Sequence, residues 1–372
     1  MKTKHFLLTL LLASFASGTL GQYRYNVTNK SEFTDALAQI ATLPKGSAAY
    51  IYISGDVNAG TLNNDNSGIM QPTLRNIHLI GVDDENGNKA TLRMEMRIPA
   101  GNTEADGFSL HYENLKLQQT QGIWGNSKHL MNFKDANKHY IDTLEFINCE
   151  LTELCRSIYR GEVSGAGKDF TGAGTLKVFR MENCVVHNGF RQSNAFPAIY
   201  IAQPVNEMTF RNNTFYDLTY LNGLVCFGNV SENAGRQAVK VTFENNTICA
   251  WSKSSLLSFA NGVSSDSEFH IKNNIILQPT WADDMNGRFG DSKDNHGNMG
   301  IGTVTDFQGI YTADADGNTN GILPEEAIAA RIEKGVVLTN LDGGLVQMEN
   351  NMLYGYRYQN LEMPSKQELL YL

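Results

Sequence analysis

The sequence lacks three features that would narrow its function directly. After the apolar run from Phe6 to Phe15, no segment is long and apolar enough to span a bilayer. Basic residues are in the minority, with 30 Lys and Arg against 39 Asp and Glu, and the formal charge of -9 argues against nucleic acid or anionic lipid as a partner. Cysteine is scarce, and the five residues are an odd number, which leaves no complete disulfide framework.

The first residues have the order of a secretory signal peptide. Lys2 and Lys4 precede the apolar run, and small residues occupy 16–21. The run is too short to cross a membrane, and no Cys follows it to carry a lipid anchor. We therefore predict a signal peptide over residues 1–21, with cleavage after Gly21 or after Ala16. Residues 22–372 then form a single secreted domain, in the periplasm, at the cell surface or outside the cell.

One short phrase is present seven times and predicts the architecture. It runs apolar, any residue, large apolar, any residue, Asn, as in 144–148 (LEFIN). The alternation predicts a strand with one buried face, and Asn favours the left-handed bend that follows it. Successive copies up to residue 273 lie about 28 to 35 residues apart, a period typical of a solenoid. The seven copies end at Asn114, Asn148, Asn183, Asn212, Asn245, Asn273 and Asn350.

The residue after each Asn forms a second repeated position. Cys149 and Cys184 occupy it in adjacent copies, and four later copies have Asn213, Asn246, Asn274 and Asn351 there. The two cysteines should therefore stack on neighbouring turns of the coil. They form either a disulfide or two small buried thiols.

A helix is predicted before the first turn of the coil. Ser31 is its expected N-cap, and Phe33, Leu37 and Ile40 share one face of a helix over about 31–43. Such a helix would cover the open apolar end of a solenoid. Strands are predicted next at Ala49–Ser54, Ile77–Ile80 and Leu92–Ile98.

A further strand is predicted later in each turn, with two inward columns. The first column contains Met131, Ile158, Ile199, Val225 and Leu257. The second contains Phe133, Arg160, Ile201, Phe227 and Phe259. Arg160 is a charge in an otherwise apolar column, so we expect it to be paired or to reach water at a strand end.

Residues 280–344 interrupt the repeat. They are rich in Asp, Asn and Gly and predict an irregular insertion near the C-terminal end of the coil. One helix is predicted within it, with Pro324 in its first turn and Gly335 after its end. Long excursions from a rigid scaffold commonly carry binding residues.

With the signal peptide, the N-terminal helix and the repeated Phe-x-Asn-Asn turn, the chain resembles the right-handed parallel β-helix superfamily. More narrowly, it is similar to uncharacterised secreted bacterial members described as pectate lyase-like. The resemblance covers about residues 45–355 apart from the insertion. It implies an all-β, right-handed parallel β-helix, and this fold carries lyases, hydrolases, tailspikes and adhesins.

Lyases of this superfamily remove a proton beside a uronic carboxylate with Arg or Lys, often with calcium. The candidate catalytic residues here are Arg156, Tyr159, Arg160 and Arg191, and the candidate substrate-binding residues are His187 and Tyr200. Adjacent turns lie about 4.8 Å apart, so we expect these side chains to converge on one groove. The alternative is that Arg156 and Arg160 form structural ion pairs with Glu150, Glu153 or Glu162.

Two weaker patterns lie in the insertion. Asp283-Asp284 and Asn295-His296-Gly297 resemble polygalacturonase motifs, although the first Gly of the triplet is replaced. A candidate calcium loop has hard oxygen ligands at alternate positions before the Pro324 helix; a solvated acidic turn is the alternative. Its residues are Asp314, Asp316, Asn318, Asn320 and Glu325.

These observations lead to one leading function and one alternative. We expect a secreted monomer that acts on polysaccharide, as a lyase that cleaves a uronic acid-containing glycan by β-elimination. The alternative is a non-catalytic glycan-binding or cell-surface adhesion protein on the same scaffold. A polysaccharide lyase is favoured over a glycoside hydrolase, and Ca²⁺ is the one cofactor that the sequence suggests.

Overall fold

The computed structural model describes residues 22–44, 46–62, 76–97, 108–120, 129–134, 141–162, 176–190, 197–203, 205–218, 224–227, 239–249, 257–259, 268–278, 301–302, 336–339, 345–350, 352–355 and 369–371. Within these ranges the chain is mostly β and forms long parallel sheets. Strands are numbered β1 to β27 in chain order, and all except β3 and β5 belong to one of three rows. Residues 1–21, with the predicted signal peptide, lie outside the described ranges.

The first row includes the seven strands that end at an Asn corner and four further strands of the same sheet. Its strands pair in parallel from β1 to β25, and β24 then pairs antiparallel with β25. Their inward residues alternate with outward ones, as the phrase predicts. The row consists of β1 (Gln22–Val27), β2 (Ala48–Ser54), β4 (Asn76–Val82), β6 (Phe108–Glu113), β9 (Ile141–Ile147), β12 (Leu176–Glu182), β15 (Val205–Arg211), β18 (Lys240–Glu244), β21 (Glu268–Lys272), β25 (Leu345–Glu349) and β24 (Val336–Thr339).

The second row follows the corner directly and is built of short strands. All of its strands are three to five residues long, and the sequence pattern did not predict this row. It ends where β27 pairs antiparallel with β26. Its strands are β7 (Lys116–Gln118), β10 (Glu150–Thr152), β13 (Val185–Gly189), β16 (Thr214–Leu218), β19 (Thr247–Cys249), β22 (Ile275–Gln278), β26 (Met352–Gly355) and β27 (Leu369–Tyr371).

The third row contains the strands predicted at 130–133 and at the equivalent positions of later turns. It consists of β8 (Met131–Lys134), β11 (Tyr159–Glu162), β14 (Ile199–Ala202), β17 (Val225–Phe227), β20 (Leu257–Phe259) and β23 (Ile301–Gly302). Two strands precede it, β3 (Asp56–Leu62) and β5 (Thr91–Arg97), which pair with each other. β5 also pairs with β7 through residues 91–93 and with β8 through 96–97, so one strand joins the second and third rows.

The Asn corners have the conformation that the sequence predicts. All seven Asn residues that end the phrase have φ between 53° and 56°. This left-handed conformation is tolerated best by Asn among residues with a side chain, which explains why the same residue type recurs at the bend. The corner turns the chain from the first row into the second.

The position after the corner forms a column that we call the corner column, Cys149, Cys184, Asn213, Asn246 and Asn274. Asn213 Oδ1 accepts the backbone N–H of Cys184 at 2.9 Å, and Asn246 Oδ1 accepts that of Asn213 at 3.0 Å. Cys149 and Cys184 are free buried thiols, so the structure has no disulfide between them. Asn351 lies outside the described residues.

The interior between the rows is apolar. An aromatic column follows the third position of the phrase, with ring centroids 5.1 to 6.1 Å apart along the stack. These rings are fully buried and are closely packed because every turn supplies the same kind of side chain. The column contains Tyr112, Phe146, Phe179, Phe210 and Phe243.

A helix, α1 (Lys30–Ile40), follows β1 and differs slightly from its predicted bounds. Its N-cap is Asn29 and not Ser31, because the Asn29 side chain accepts the N–H of Glu32 at 3.1 Å. Glu32 in turn accepts the N–H of Thr28 at 2.7 Å, so the two side chains cap the helix start reciprocally. The buried face of α1 includes Phe33, Leu37 and Ile40 and packs against β1 and β3.

The predicted insertion over 280–344 lies mainly outside the described residues. Two short strands, β23 and β24, fall within it and pair with the third and first rows. The predicted Pro324 helix lies outside the described residues. In the parts of the chain that the structure describes, no helix has the length and apolar character needed to cross a bilayer.

Candidate functional site

Arg160 lies on the outward side of the third row. Tyr159 pairs with Met131 and Ile199, which places Arg160 beside Asn132 and Tyr200. The prediction that Arg160 occupies an interior apolar column is therefore wrong. A shift of one residue in a strand moves every side chain to the opposite face, so the aligned pattern assigned this strand to the wrong register.

Tyr159 and Gly161 explain the shifted register. Gly161 pairs with Phe133 and Ile201 and leaves a space in the second inward column. A Cβ atom at Gly161 would lie 2.6 Å from the Tyr159 hydroxyl and 2.1 Å from Gln203 Oε1, so the tyrosine side chain fills that space. A glycine adds nothing to an apolar pattern, and the sequence alignment therefore missed the correct register.

Tyr159 belongs to the core and is not available to a substrate. Its side chain is fully buried, and its hydroxyl donates to Gln203 Oε1 at 2.9 Å. Burial raises the pKa of Tyr159 well above its ordinary value, with the Gln203 hydrogen bond acting in the opposite direction. The candidate catalytic role of Tyr159 is corrected on this ground.

The third-row cluster consists of His129, Asn132, Arg160 and Tyr200. Three of its members occupy adjacent strands about 4.8 Å apart on the outward side. The fourth, His129, is 4% exposed, and its Nε2 lies 3.5 Å from Arg160 Nη1. No sequence pattern points to His129, because its position beside Arg160 depends on a contact between residues 31 positions apart.

His187 belongs to the second-row cluster, which also contains Lys116, Glu150 and Tyr216. Glu150 Oε1 accepts from Lys116 Nζ at 3.0 Å and from His187 Nε2 at 3.1 Å. The His187 ring stacks on Tyr216 with centroids 4.9 Å apart. Partial burial tends to raise the pKa of Glu150, but these two hydrogen bonds outweigh it and lower the pKa below its ordinary value.

The two clusters lie on different rows. The register places His187 in the column of Thr152, which reaches β5 at Arg93. Asn132, beside Arg160, pairs with Arg97 on the same strand. Four residues therefore separate the two columns on β5, about 13 Å at about 3.3 Å per residue. The structure therefore brings Arg160 and Tyr200 together, as expected, but places His187 in a separate cluster.

Glu95 is a second residue that sequence reasoning missed. It lies on β5 between the inward residues Met94 and Met96, yet it is only 1% exposed. Its carboxylate accepts hydroxyl hydrogen bonds from Thr61 at 3.1 Å and Thr120 at 2.7 Å. Buried carboxylates are rare and require such partners, so Glu95 marks a polar position on the strand that joins the two rows.

The remaining predicted site residues are distributed as follows. Arg156 lies half-buried in the turn between β10 and β11. Arg191, the Asp283-Asp284 and Asn295-His296-Gly297 patterns, and the calcium-loop residues Asp314, Asp316, Asn318, Asn320 and Glu325 lie outside the described residues. Within the described ranges, no three His, Cys, Asp or Glu side chains are grouped to hold a metal ion.

The chain matches no protein-family profile, no curated protein and no solved structure. Its class therefore follows from the fold. It is a mostly β protein of long parallel sheets, compatible with a β-helix, with two polar clusters on the outward side of its second and third rows.

Proposed function

We propose that the chain is a right-handed parallel β-helix of the pectate lyase-like kind that is exported from the cell. The support is the repeated visit of the chain to three rows of mostly parallel strands, with an Asn corner after seven of the first-row strands. The helix α1 fits the role of a cap, because its buried face packs on the first strands.

The function that the geometry supports best is cleavage of a uronic acid-containing glycan by β-elimination. The observation that carries this proposal is the outward guanidinium of Arg160, between Asn132 and Tyr200 and next to His129. A guanidinium binds a carboxylate through two parallel hydrogen bonds and neutralises its charge. Neutralisation makes the hydrogen on the adjacent carbon more acidic, which β-elimination requires.

Calcium remains part of the proposal only through the candidate loop at Asp314–Glu325. The described residues offer no metal-binding group, and no step of the proposed reaction is assigned to calcium. Arg156 and Arg191 remain candidate catalytic residues in this proposal.

The test is incubation with a panel of uronic polysaccharides, with and without calcium, while the ultraviolet absorbance of the unsaturated product is followed. We expect product with at least one polymer, and loss of product formation in Arg160→Gln. Circular dichroism must show that this variant keeps its fold. If no polymer gives an unsaturated product in either condition, the lyase proposal is wrong.

The second-row cluster favours the alternative function, a non-catalytic glycan-binding or adhesion protein. Tyr216 is 41% exposed and stacks on His187, which is linked through Glu150 to Lys116, a combination suited to sugar hydroxyls and ring hydrogens. The alternative predicts retention on immobilised polysaccharide without product. Tyr216→Ala should weaken retention, whereas Val82→Ala, at an equally exposed position on the first row, should not.

A further inference from the structure

The five histidines that the structure describes fall into two groups. Four lie within hydrogen-bond distance of a glutamate, at 2.6 to 3.2 Å. These four are His78, His111, His187 and His270. His129 instead lies against an arginine, with its Nε2 3.5 Å from Arg160 Nη1.

The arginine fixes the protonation of His129. A guanidinium carries only N–H donors, so Nε2 has to be the acceptor and holds a lone pair. The proton of the neutral imidazole is then on Nδ1. His129 is thus held in the form that can accept a proton, with its basic nitrogen turned toward the cation that the proposed function assigns to the substrate carboxylate.

We propose that His129 is the general base of the elimination and that substrate binding makes its Nε2 available. This inference rests on the proposed function. A guanidinium has five N–H donors, and a substrate carboxylate takes two of them in a bidentate pair. When Arg160 turns toward the carboxylate, it no longer covers Nε2, and the carbon that bears the carboxylate is next to the imidazole.

The proton and electron transfers balance without a co-reactant other than water. His129 Nε2 takes the proton from the carbon that bears the carboxylate, and the electrons of that C–H bond form a double bond to the neighbouring carbon. The bond from that carbon to the glycosidic oxygen breaks, and the oxygen keeps the electron pair and takes a proton from water. The imidazolium then returns its proton to the solvent.

No other described histidine is placed for this step. His187 belongs to the second-row cluster, about 13 Å from the Arg160 column where β5 joins the two rows. His78, His111 and His270 lie on the first row and are engaged with Glu113, Glu145 and Glu268.

The experiment compares His129→Gln with the unaltered protein on a polymer that the latter cleaves. The Gln side chain retains an acceptor for Arg160 but is not a base. We expect kcat to fall by about 100-fold or more, the usual contribution of a general base. We expect KM to change little and the pH profile of the rate to lose the ionisation of the base. His78→Gln, on the first row, is the matched control and should keep both the rate and the pH profile.

The outcomes separate this inference from the proposed function. Cleavage by His129→Gln at an unchanged rate and pH profile overturns the role of His129 and leaves the lyase proposal intact. Absence of cleavage by the unaltered protein overturns both. If His129→Gln fails to fold, His129→Ala assayed with added imidazole decides: partial recovery of the rate supports a base, and no recovery by a folded His129→Ala contradicts it.

Discussion

The corner column and the third-row cluster both place polar groups against buried surface, but they are organised differently. In the corner column, the backbone N–H groups of Cys184, Asn213 and Asn246 each donate to the side-chain oxygen of the asparagine on the next turn. In the third-row cluster, adjacent strands contribute Asn132, Arg160 and Tyr200, three different chemistries. Repetition of one residue type stabilises the stack, and a change of residue type from turn to turn indicates a site for a ligand.

The corner column itself contains two kinds of residue. The N–H of Cys149 donates to Cys184 Sγ at 3.4 Å, whereas the N–H of Cys184 donates to Asn213 Oδ1 at 2.9 Å. Sulfur is a weak acceptor, so the cysteine end is held less strongly than the asparagine end. Burial is the main cause of the raised pKa of Cys184, which keeps this thiol protonated and unreactive.

The largest predicted effect comes from removing one asparagine of the corner column with Asn246→Ala. Asn246 Oδ1 accepts from the backbone and side chain of Asn213, and its Nδ2 donates to the carbonyl of Phe210. Buried groups left without partners cost about 1–3 kcal/mol each, so we expect a total loss of about 3–5 kcal/mol in the free energy of unfolding. Denaturant titration measures it, and a loss below about 1 kcal/mol would contradict the role assigned to the column.

Gly161→Ala should have the next largest effect. The added Cβ would lie 2.1 Å from Gln203 Oε1 and would displace the Tyr159 hydroxyl. Overpacking of a core costs about 1–3 kcal/mol, and we expect a loss of that size in thermal or chemical unfolding. Tyr159→Phe is the control, because it removes only the hydrogen bond to Gln203 and relieves part of the crowding. If Gly161→Ala is as stable as the unaltered protein, the register of β11 is wrong.

The Asn corners and β11 show what could be read from the sequence and what could not. The left-handed corners and the alternation before them are local properties, so the repeated phrase predicted the first row and the stacking of Cys149 on Cys184. The register of β11 depends on the missing side chain of Gly161, and the place of His129 on a contact with Arg160. Such long-range packing leaves no periodic trace in the sequence.

Cys184→Asn tests whether the cysteine end of the corner column is weaker than the asparagine end. The new amide would accept the N–H of Cys149 and donate to the carbonyl of Phe146, which Cys184 Sγ contacts at 3.3 Å. Replacing weak sulfur contacts with two amide hydrogen bonds should raise the free energy of unfolding by about 1 kcal/mol. A decrease of similar size in denaturant titration would show that the thiol is preferred for packing and not merely tolerated.

Arg160→Met tests whether Arg160 lies on the outward side of its strand. An outward, half-buried arginine contributes little to stability, so we expect the free energy of unfolding to change by less than about 1 kcal/mol. An interior, paired charge would give a loss of several kcal/mol when its partner is left buried. Measuring the free energy of unfolding of Arg160→Met and of Asn246→Ala under the same conditions therefore distinguishes an outward position from a buried structural one.

Acid should lower the free energy of unfolding through Glu145 on the first row, by less than the substitutions above. The hydrogen bond from His111 Nδ1 at 2.6 Å is the main cause of the lowered pKa of Glu145, while burial acts in the opposite direction. Because the pKa of Glu145 is lower in the folded state, its contribution is complete above the ordinary value and is lost as the pH falls through the lowered one. Glu145→Gln should reduce the loss of stability below about pH 4.3, the usual pKa of a glutamate. An unchanged acid dependence would contradict this assignment.

The most direct test of the central claim is the initial rate of unsaturated product formation on uronic polysaccharides, measured for the unaltered protein and for Arg160→Gln. We expect the unaltered protein to release product and Arg160→Gln to lose about 100-fold or more in kcat/KM, the size typical for loss of a charged group that stabilises the transition state. Its melting temperature should stay nearly the same. Equal rates for the two proteins would contradict the assignment of Arg160, and no product from either would contradict the proposed reaction.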